Sequence, residues 1–335
     1  MCISRTTLIP PVLILSIALL LTIASGQSVH KVQSQTANTH AQTPERPGTD
    51  TVQLHITVTG KDDVFVDGLQ QSNFEIVVEK APARIVSFSH QDAPSSVGIV
   101  FDSSGSVGSG SKDKTRRDLL LLREALGRFL SQSNPSNEYF LLGFNVKPQL
   151  LVDWTSDQTK LLDGFNDLII FGQTAFYDSC YVAIDKLTFG RYAKRVLLVI
   201  SDGQDNLSSY TFKELRDLIR STGVLVYSIY FSGRPDVGSA LGQEGQGILR
   251  DLSVPSGGGV YIKVGYPIKP KEIHTVFEKI ASELRHQYSL SIVSTEPSAV
   301  RKWGKIKTMV KSSISNGKIR TRTREGFYSG KPKGN

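Results

Sequence analysis

The sequence predicts an α/β protein: a doubly wound, mostly parallel sheet inserted into a small β-sandwich built from the N- and C-terminal flanks. Three observations lead there. Short, purely apolar runs such as Val97 to Phe101 and Val196 to Ile200 recur, as expected of strands covered on both faces. Between them lie stretches with the apolar stripe of a helix. Before and after this region the pattern becomes the strict alternation of half-buried strands. Neither flank has strands enough for a core, so the two are expected to share one.

At the N-terminus, Arg5 precedes a near-continuous apolar run from Leu8 to Ala24, broken only by small residues and by Pro10 and Pro11. Ala24-Ser25-Gly26 then supplies small residues where a signal peptidase reads. Residues 1–26 are expected to be a secretory signal cleaved after Gly26, with an uncleaved membrane anchor as the alternative. Cys2 precedes the apolar run, the wrong place for a lipoprotein cysteine. Residues 27–48, rich in Gln, Thr and Ser, read as a disordered spacer.

Residues 49–93 form the expected N-terminal part of the β domain. Val52, Leu54, Ile56 and Val58 alternate with polar residues, and Val64–Val66, Phe74–Val78 and Ile85–Phe88 complete about four strands. The α/β domain is expected over 94–286. After the strand Val97–Phe101, a helix is marked by Leu119, Leu122, Leu126 and Phe129. The strand Tyr139–Phe144 and a shorter, edge-type strand at Leu150–Val152 follow. Phe176, Cys180, Ala183, Ile184 and Leu187 make the next helical stripe, ahead of the strand Val196–Ile200. A helix from about Phe212 to Thr222 leads into the strand Val224–Phe231, then a short helix near Gly247–Leu252 and a strand at Val260–Val264. Ile273, Val276, Phe277, Ile280 and Leu284 give the last helix. Tyr288, Leu290 and Ile292 restart the β pattern over 287–330, and 331–335 is a basic tail.

Composition narrows the class. The chain has 335 residues and a net charge of +8, with 39% hydrophobic residues, too apolar for a disordered protein. Its 29 glycines follow no period, and it has a single long apolar run, which excludes collagen-like, coiled-coil and multi-span membrane proteins. Removal of the signal would leave Cys180 alone, so no internal disulfide is expected, and Cys180 reads as a small buried hydrophobe. Charge concentrates at the end: residues 301–335 sum to +10, leaving −2 for the rest. That segment could touch an acidic surface through residues 301–333, but Ile306, Met309, Val310, Ile314 and Ile319 punctuate it as in a solvated strand face. Nucleic acid is a poor partner for an exported chain, and no span would remain after signal cleavage.

In an open parallel sheet, ligands bind beyond the carboxyl ends of the strands. Asp102-Ser103-Ser104-Gly105-Ser106 leaves the strand at 97–101, Ser201-Asp202-Gly203 leaves the strand at 196–200, and Gly172-Gln173-Thr174 precedes the Cys180 helix. Two carboxylates and three hydroxyls thus converge from distant stretches. These are hard oxygen donors, suited to Mg²⁺ first, with Mn²⁺ or Ca²⁺ possible, and unsuited to zinc or copper. Two carboxylates barely neutralise a divalent ion, which would stay electrophilic and seek a further oxygen, most naturally a carboxylate. Taken alone, Asp102 and the serines could equally cap a helix. Asp205 reads as a turn residue.

Asp102-x-Ser104-x-Ser106, Thr174 and Asp202-Gly203 resemble the metal-ion-dependent adhesion site of von Willebrand factor type A domains, a fold of the Rossmann-like kind. The flanks, with Val66-Asp67-Gly68-Leu69, Ile85–Phe88, Leu284–Tyr288 and Arg324-Glu325-Gly326-Phe327-Tyr328, resemble an exported bacterial subfamily abundant in acidobacteria. The resemblance implies that Ser104 and Ser106 ligate a metal directly, that Thr174 and Asp202 exchange direct and water-mediated contact, and that Asp102 acts mainly through water. It implies a protein ligand offering a Glu or Asp carboxylate.

Catalytic readings fit poorly. The stretch from Gly105 to Lys112 is spaced like a phosphate loop, but Gly110-Ser111-Lys112 displaces the lysine. The six histidines lie away from the expected metal edge, leaving no base for a nucleophile. The expected function is therefore an exported, non-catalytic binding or adhesion protein. An envelope structural or assembly factor acting through the basic C-terminal segment is the alternative, and a metal-dependent hydrolase the third reading.

Overall fold

The computed structural model describes residues 51–108, 110–235, 238–262, 267–294, 302–311 and 319–329. The expected signal, spacer and basic tail fall outside these residues. In chain order the first elements are β1 (Thr51–Thr59), β2 (Phe74–Val78) and β3 (Ala81–Ser89). The central stretch opens with β4 (Ser96–Asp102), α1 (Lys112–Gln132), β5 (Glu138–Phe144), β6 (Pro148–Thr155) and α2 (Gln158–Gly164). It continues with α3 (Phe176–Leu187), β7 (Arg195–Ser201), α4 (Phe212–Thr222), β8 (Leu225–Tyr230), α5 (Ala240–Ser253), β9 (Val260–Tyr261) and α6 (Pro270–Arg285). The last strands are β10 (Tyr288–Ser294), β11 (Lys302–Val310), β12 (Arg320–Arg322) and β13 (Gly326–Ser329).

Six strands form a sheet in the order β6-β5-β4-β7-β8-β9, parallel except for β6 at the edge. Side-chain alternation gives each face its own core. Val97, Ile99 and Phe101 of β4, with Val196, Leu198 and Ile200 of β7, pack against α1, α2 and α6. Val100, Leu197 and Val199 pack instead with α3, α4 and α5. Leu122, Leu126 and Phe129 of α1, and Phe176, Cys180, Ala183, Ile184 and Leu187 of α3, are the buried positions, as their spacing predicts. Each buried Leu, Ile or Phe side chain among them contributes about 1.5–3 kcal/mol.

The differences from the sequence reading are local. The edge strand expected at Leu150–Val152 extends from Pro148 to Thr155, and the helix expected near Gly247 begins at Ala240. β9 takes in only the first two residues of its expected run, whose last two lie outside the described residues. α2 has no counterpart in the sequence reading, because seven residues are too few to show a period. Its cap is legible in retrospect: Asp157 accepts from the Thr159 and Lys160 N–H groups at 2.9 and 3.2 Å.

The flanks form a second, separate sheet of seven antiparallel strands, ordered β12-β1-β10-β3-β2-β11-β13. Strands from both ends of the chain interleave in it: Leu54 lies opposite Leu290, and Ile306 opposite Val78. It is one curled sheet and not the expected sandwich of two. Curling wraps the single apolar face around Leu54, Ile56, Ile76, Tyr288, Leu290 and Ile306, so no second layer is needed to cover it. The Thr321 hydroxyl of β12 reaches the Thr308 carbonyl of β11 at 3.3 Å, across the curl. Val64–Val66, expected to be a strand, makes only a lone bridge from Phe65 to Thr59, with Val64 65% exposed.

The basic C-terminal segment divides by strand face. Lys302, Lys305 and Lys307 of β11 are exposed while Gly304 and Ile306 turn inward. Other cations are engaged within the chain. Arg320 pairs with Asp63 at 2.8 Å, Lys311 with Glu75 at 2.8 Å, and Arg324 donates to the Arg220 carbonyl at 2.7 Å.

Candidate metal centre

The five oxygen-bearing residues sit where β4 and β7 end and where the chain enters α3. Asp102 is the last residue of β4 and Asp202 follows the last residue of β7, and both are buried, at 0% and 1% exposure. Side-chain hydrogen bonds hold the Asp102 carboxylate in place. Its Oδ1 accepts from the Ser104 N–H at 2.9 Å and its Oδ2 from the Ser201 hydroxyl at 2.6 Å. Ser201 in turn accepts from the Gly203 N–H at 3.0 Å, and Asp202 Oδ1 accepts from the Gln204 N–H at 3.0 Å. The Ser104 and Ser106 hydroxyls share a hydrogen bond of 3.0 Å, so the alternate side chains of this loop do point to one place.

Neighbouring loops lock the arrangement. Ser103 faces away: its N–H and its hydroxyl both donate to the Phe144 carbonyl at the end of β5, at 2.7 and 2.8 Å. Gly105 N–H donates to the Gly172 carbonyl at 3.0 Å, and Phe171 N–H to the Ser103 carbonyl at 2.9 Å, tying the 103–105 loop to the one that carries Thr174. Thr174 is 3% exposed; its N–H donates to Asn206 Oδ1 at 2.9 Å and its carbonyl accepts from the Asn206 and Leu207 N–H groups. Gly203 has φ +75°, and a Cβ there would lie 2.4 Å from the Gly245 carbonyl oxygen of α5, so no other residue fits this turn.

Three residues that the sequence reading did not place in the centre support it. Ser201 ties Asp102 to the β7 loop, and Asn206 holds Thr174. Asp205, expected to be a turn residue, caps α3 from 29 residues away: its Oδ1 accepts from the Phe176 and Tyr177 N–H groups at 2.8 and 3.1 Å. Ser111, inside the apparent phosphate loop, is the N-cap of α1.

Burial, then the nearby Asp202 charge, push the Asp102 carboxyl up to about 7, against the downward pull of the hydrogen bonds from Ser104 and Ser201. Two buried carboxylates that repel, beside two paired hydroxyls, are a donor set that a small divalent cation fits, because the cation would turn that repulsion into shared attraction. Among the described residues no group of three or more His, Cys, Asp or Glu side chains is placed to hold a metal, so a metal here would depend on Ser and Thr oxygens. The four described histidines are elsewhere. His55 contacts Ser289 within the flank sheet, His90 stacks on Tyr288, His286 stacks on Phe65, and His274 lies beside Glu124. Cys180 is buried in the core of α3, and burial pushes its thiol upward.

Residues 97–204 match the sequence model of the von Willebrand factor type A domain. This stretch runs from β4 to the loop after β7 and contains all five oxygen-bearing residues; the chain carries a domain of this type. A search of curated proteins finds no match. Among solved structures, an aerotolerance-related membrane protein from Bacteroides fragilis is similar at 17% identity and a TM-score of 0.42, covering 57% of this chain and 98% of that one. The vWF domain of the type V pili tip protein Mfa5 from Porphyromonas gingivalis is similar at 12% identity and a TM-score of 0.45, covering 57% of this chain and 95% of that one. Likenesses this distant say nothing about what the chain binds. Among the described residues no helix is long and apolar enough to cross a membrane.

Proposed function

We propose that this chain is an exported, non-catalytic binding or adhesion protein. Its type A domain captures an acidic side chain of a protein partner through a divalent cation, Mg²⁺ in the first instance, held by Asp102, Ser104, Ser106, Thr174 and Asp202. The observation that carries the reading is the pair of buried carboxylates at one sheet edge with the Ser104 and Ser106 hydroxyls converging beside them. When bound, the cation supplies a Lewis-acidic position for an incoming carboxylate. Ser104 and Ser106 orient oxygen toward it, Ser201 fixes the Asp102 carboxylate, and Asn206 fixes the Thr174 loop. In this reading the apolar run Leu8–Ala24 is the export signal, the flank motifs are those of the exported bacterial subfamily they resemble, and the α/β domain is an insert within the flank-built β domain.

Calorimetric titration of Mg²⁺ and Mn²⁺ into the wild-type chain and into Ser104→Ala tests the centre. Saturable one-site binding to wild type, weakened about tenfold or more in the variant, is expected. No saturable heat with either ion on the folded wild type would overturn the reading.

A further inference from the structure

Beside the candidate centre runs a groove of about 700 Å³ that the metal-site reading does not use. Its near end is the metal loop itself, at Gly105 and Gly108, and it continues between the first turns of α1 and the loop at 168–170. One side is apolar: Leu119 and Ile170 are half-buried against the core, and Ile169 is 70% exposed. The apolar character extends along the loop toward Thr174 at Phe171, 52% exposed, and to Val146 of the turn between β5 and β6, 39% exposed and beside Gly172. Scattered single apolar side chains are ordinary on a surface, whereas a contiguous rim of them next to a binding centre marks contact with a partner. The polar lining is of one sign. Lys112, Arg116 and Arg234 line the groove, all exposed, and none forms an ion pair among the described residues. No carboxylate among the described residues lines it.

We infer that this groove receives an acidic, apolar-bearing segment of the protein partner: an aliphatic side chain lies on Leu119, Ile169 and Ile170 while an acidic group meets Lys112, Arg116 and Arg234. The position of the segment rests on the metal-site reading, since a carboxylate held at the Ser104–Ser106 loop places the following residues over Gly105 and into the groove. Charge complementarity chooses this occupant. A basic segment would meet three like charges, and a purely polar one would leave the apolar wall uncovered. The centre alone would accept any exposed carboxylate; the groove adds selection for what stands next to it.

The test uses a fluorescent peptide of the form Gly-Glu-Gly-Leu-Gly-Glu-Gly, followed by anisotropy with Mg²⁺ or EDTA, on wild type and on the triple variant Lys112→Gln, Arg116→Gln, Arg234→Gln. A peptide with Ser in place of Leu and calorimetric Mg²⁺ titration of both proteins run alongside. Loss of three exposed charge contacts predicts about a tenfold loss in peptide affinity. Mg²⁺ uptake should be retained, and the Ser peptide should bind more weakly than the Leu peptide. Equal peptide affinity in wild type and the folded triple variant, or no binding of the Leu peptide to wild type, overturns the groove. Charge-dependent peptide binding that persists in EDTA, with no Mg²⁺ uptake by wild type, supports the groove and overturns the metal reading.

Discussion

Replacing Glu283 near the end of α6 with alanine should destabilise the whole described fold. Glu283 is 3% exposed, and four elements converge on its carboxylate. Oε1 accepts from the Tyr227 hydroxyl of β8 at 2.6 Å, from the Thr57 hydroxyl of β1 at 3.1 Å and from the Arg322 guanidinium of β12. Oε2 accepts from the Tyr261 hydroxyl of β9 at 3.3 Å. Gln287 closes the network by donating to both Thr57 and Tyr227. Breaking a buried ion pair by removing one partner costs about 3–5 kcal/mol, because the other charge is left uncompensated. The Arg322 side chain is 34% exposed and can recover some hydration, which places the expected loss near the lower end, about 3 kcal/mol. Glu283→Gln keeps an acceptor and should lose roughly half as much. Urea denaturation followed by circular dichroism measures both. With Arg322→Met and the double variant added, the cycle should show a coupling of about 1–2 kcal/mol. A loss below about 1 kcal/mol for Glu283→Ala, with an unchanged urea slope, would refute the view that this carboxylate joins the two sheets.

Three further outcomes are expected. Burial, with the Lys194 and Arg324 charges adding, holds the His55 imidazole down at about 3. Its stabilising contribution is therefore complete above its unfolded value, about 6.5, and is lost as pH falls from there toward 3, at up to about 1.4 kcal/mol per pH unit. His55→Asn should flatten the dependence of the urea midpoint between pH 4 and 6.5, and an unchanged slope would contradict the assignment. Gly203→Ala sets a Cβ 2.4 Å from the Gly245 carbonyl at positive φ and should cost about 1–3 kcal/mol while weakening Mg²⁺ uptake, read by thermal melting and calorimetry. Cys180 should react with an aromatic disulfide reagent only on unfolding, so fast labelling of the native chain would show that α3 opens locally.

Much of this was legible in the sequence because it is local. A strand buried on both faces must be apolar at successive positions, and a helix against a sheet must repeat its apolar residues at its own period. β4, β7, α3 and α6 were visible for that reason. The Asp102, Ser104 and Ser106 part of the candidate oxygen set was legible too, because alternate residues of a tight loop converge, whereas Thr174 and Asp202 were added through the expected sheet edge. The parts that were not legible join distant segments. β1 pairs with β10 across more than 200 residues, and nothing in either strand's alternation names its partner or distinguishes one curled sheet from two stacked ones. Asp205 was readable as a turn residue, but its cap on α3 requires the β7 loop to fold over that helix.

By itself the sequence determined the alternation of elements and which stripe of each helix is buried, since these follow from periods shorter than one element, while the candidate centre was inferred from the rule that ligands bind beyond the carboxyl ends of parallel strands and from a family resemblance. Tertiary structure alone decided how the flanks close on themselves, that Arg322 and Arg324 of a basic segment turn inward, and that a basic, apolar-walled groove adjoins the candidate centre. Each of these depends on which surfaces meet. Burial is a demand that sequence pattern can state, whereas the partner that satisfies it is selected by packing and hydrogen bonding over the whole chain.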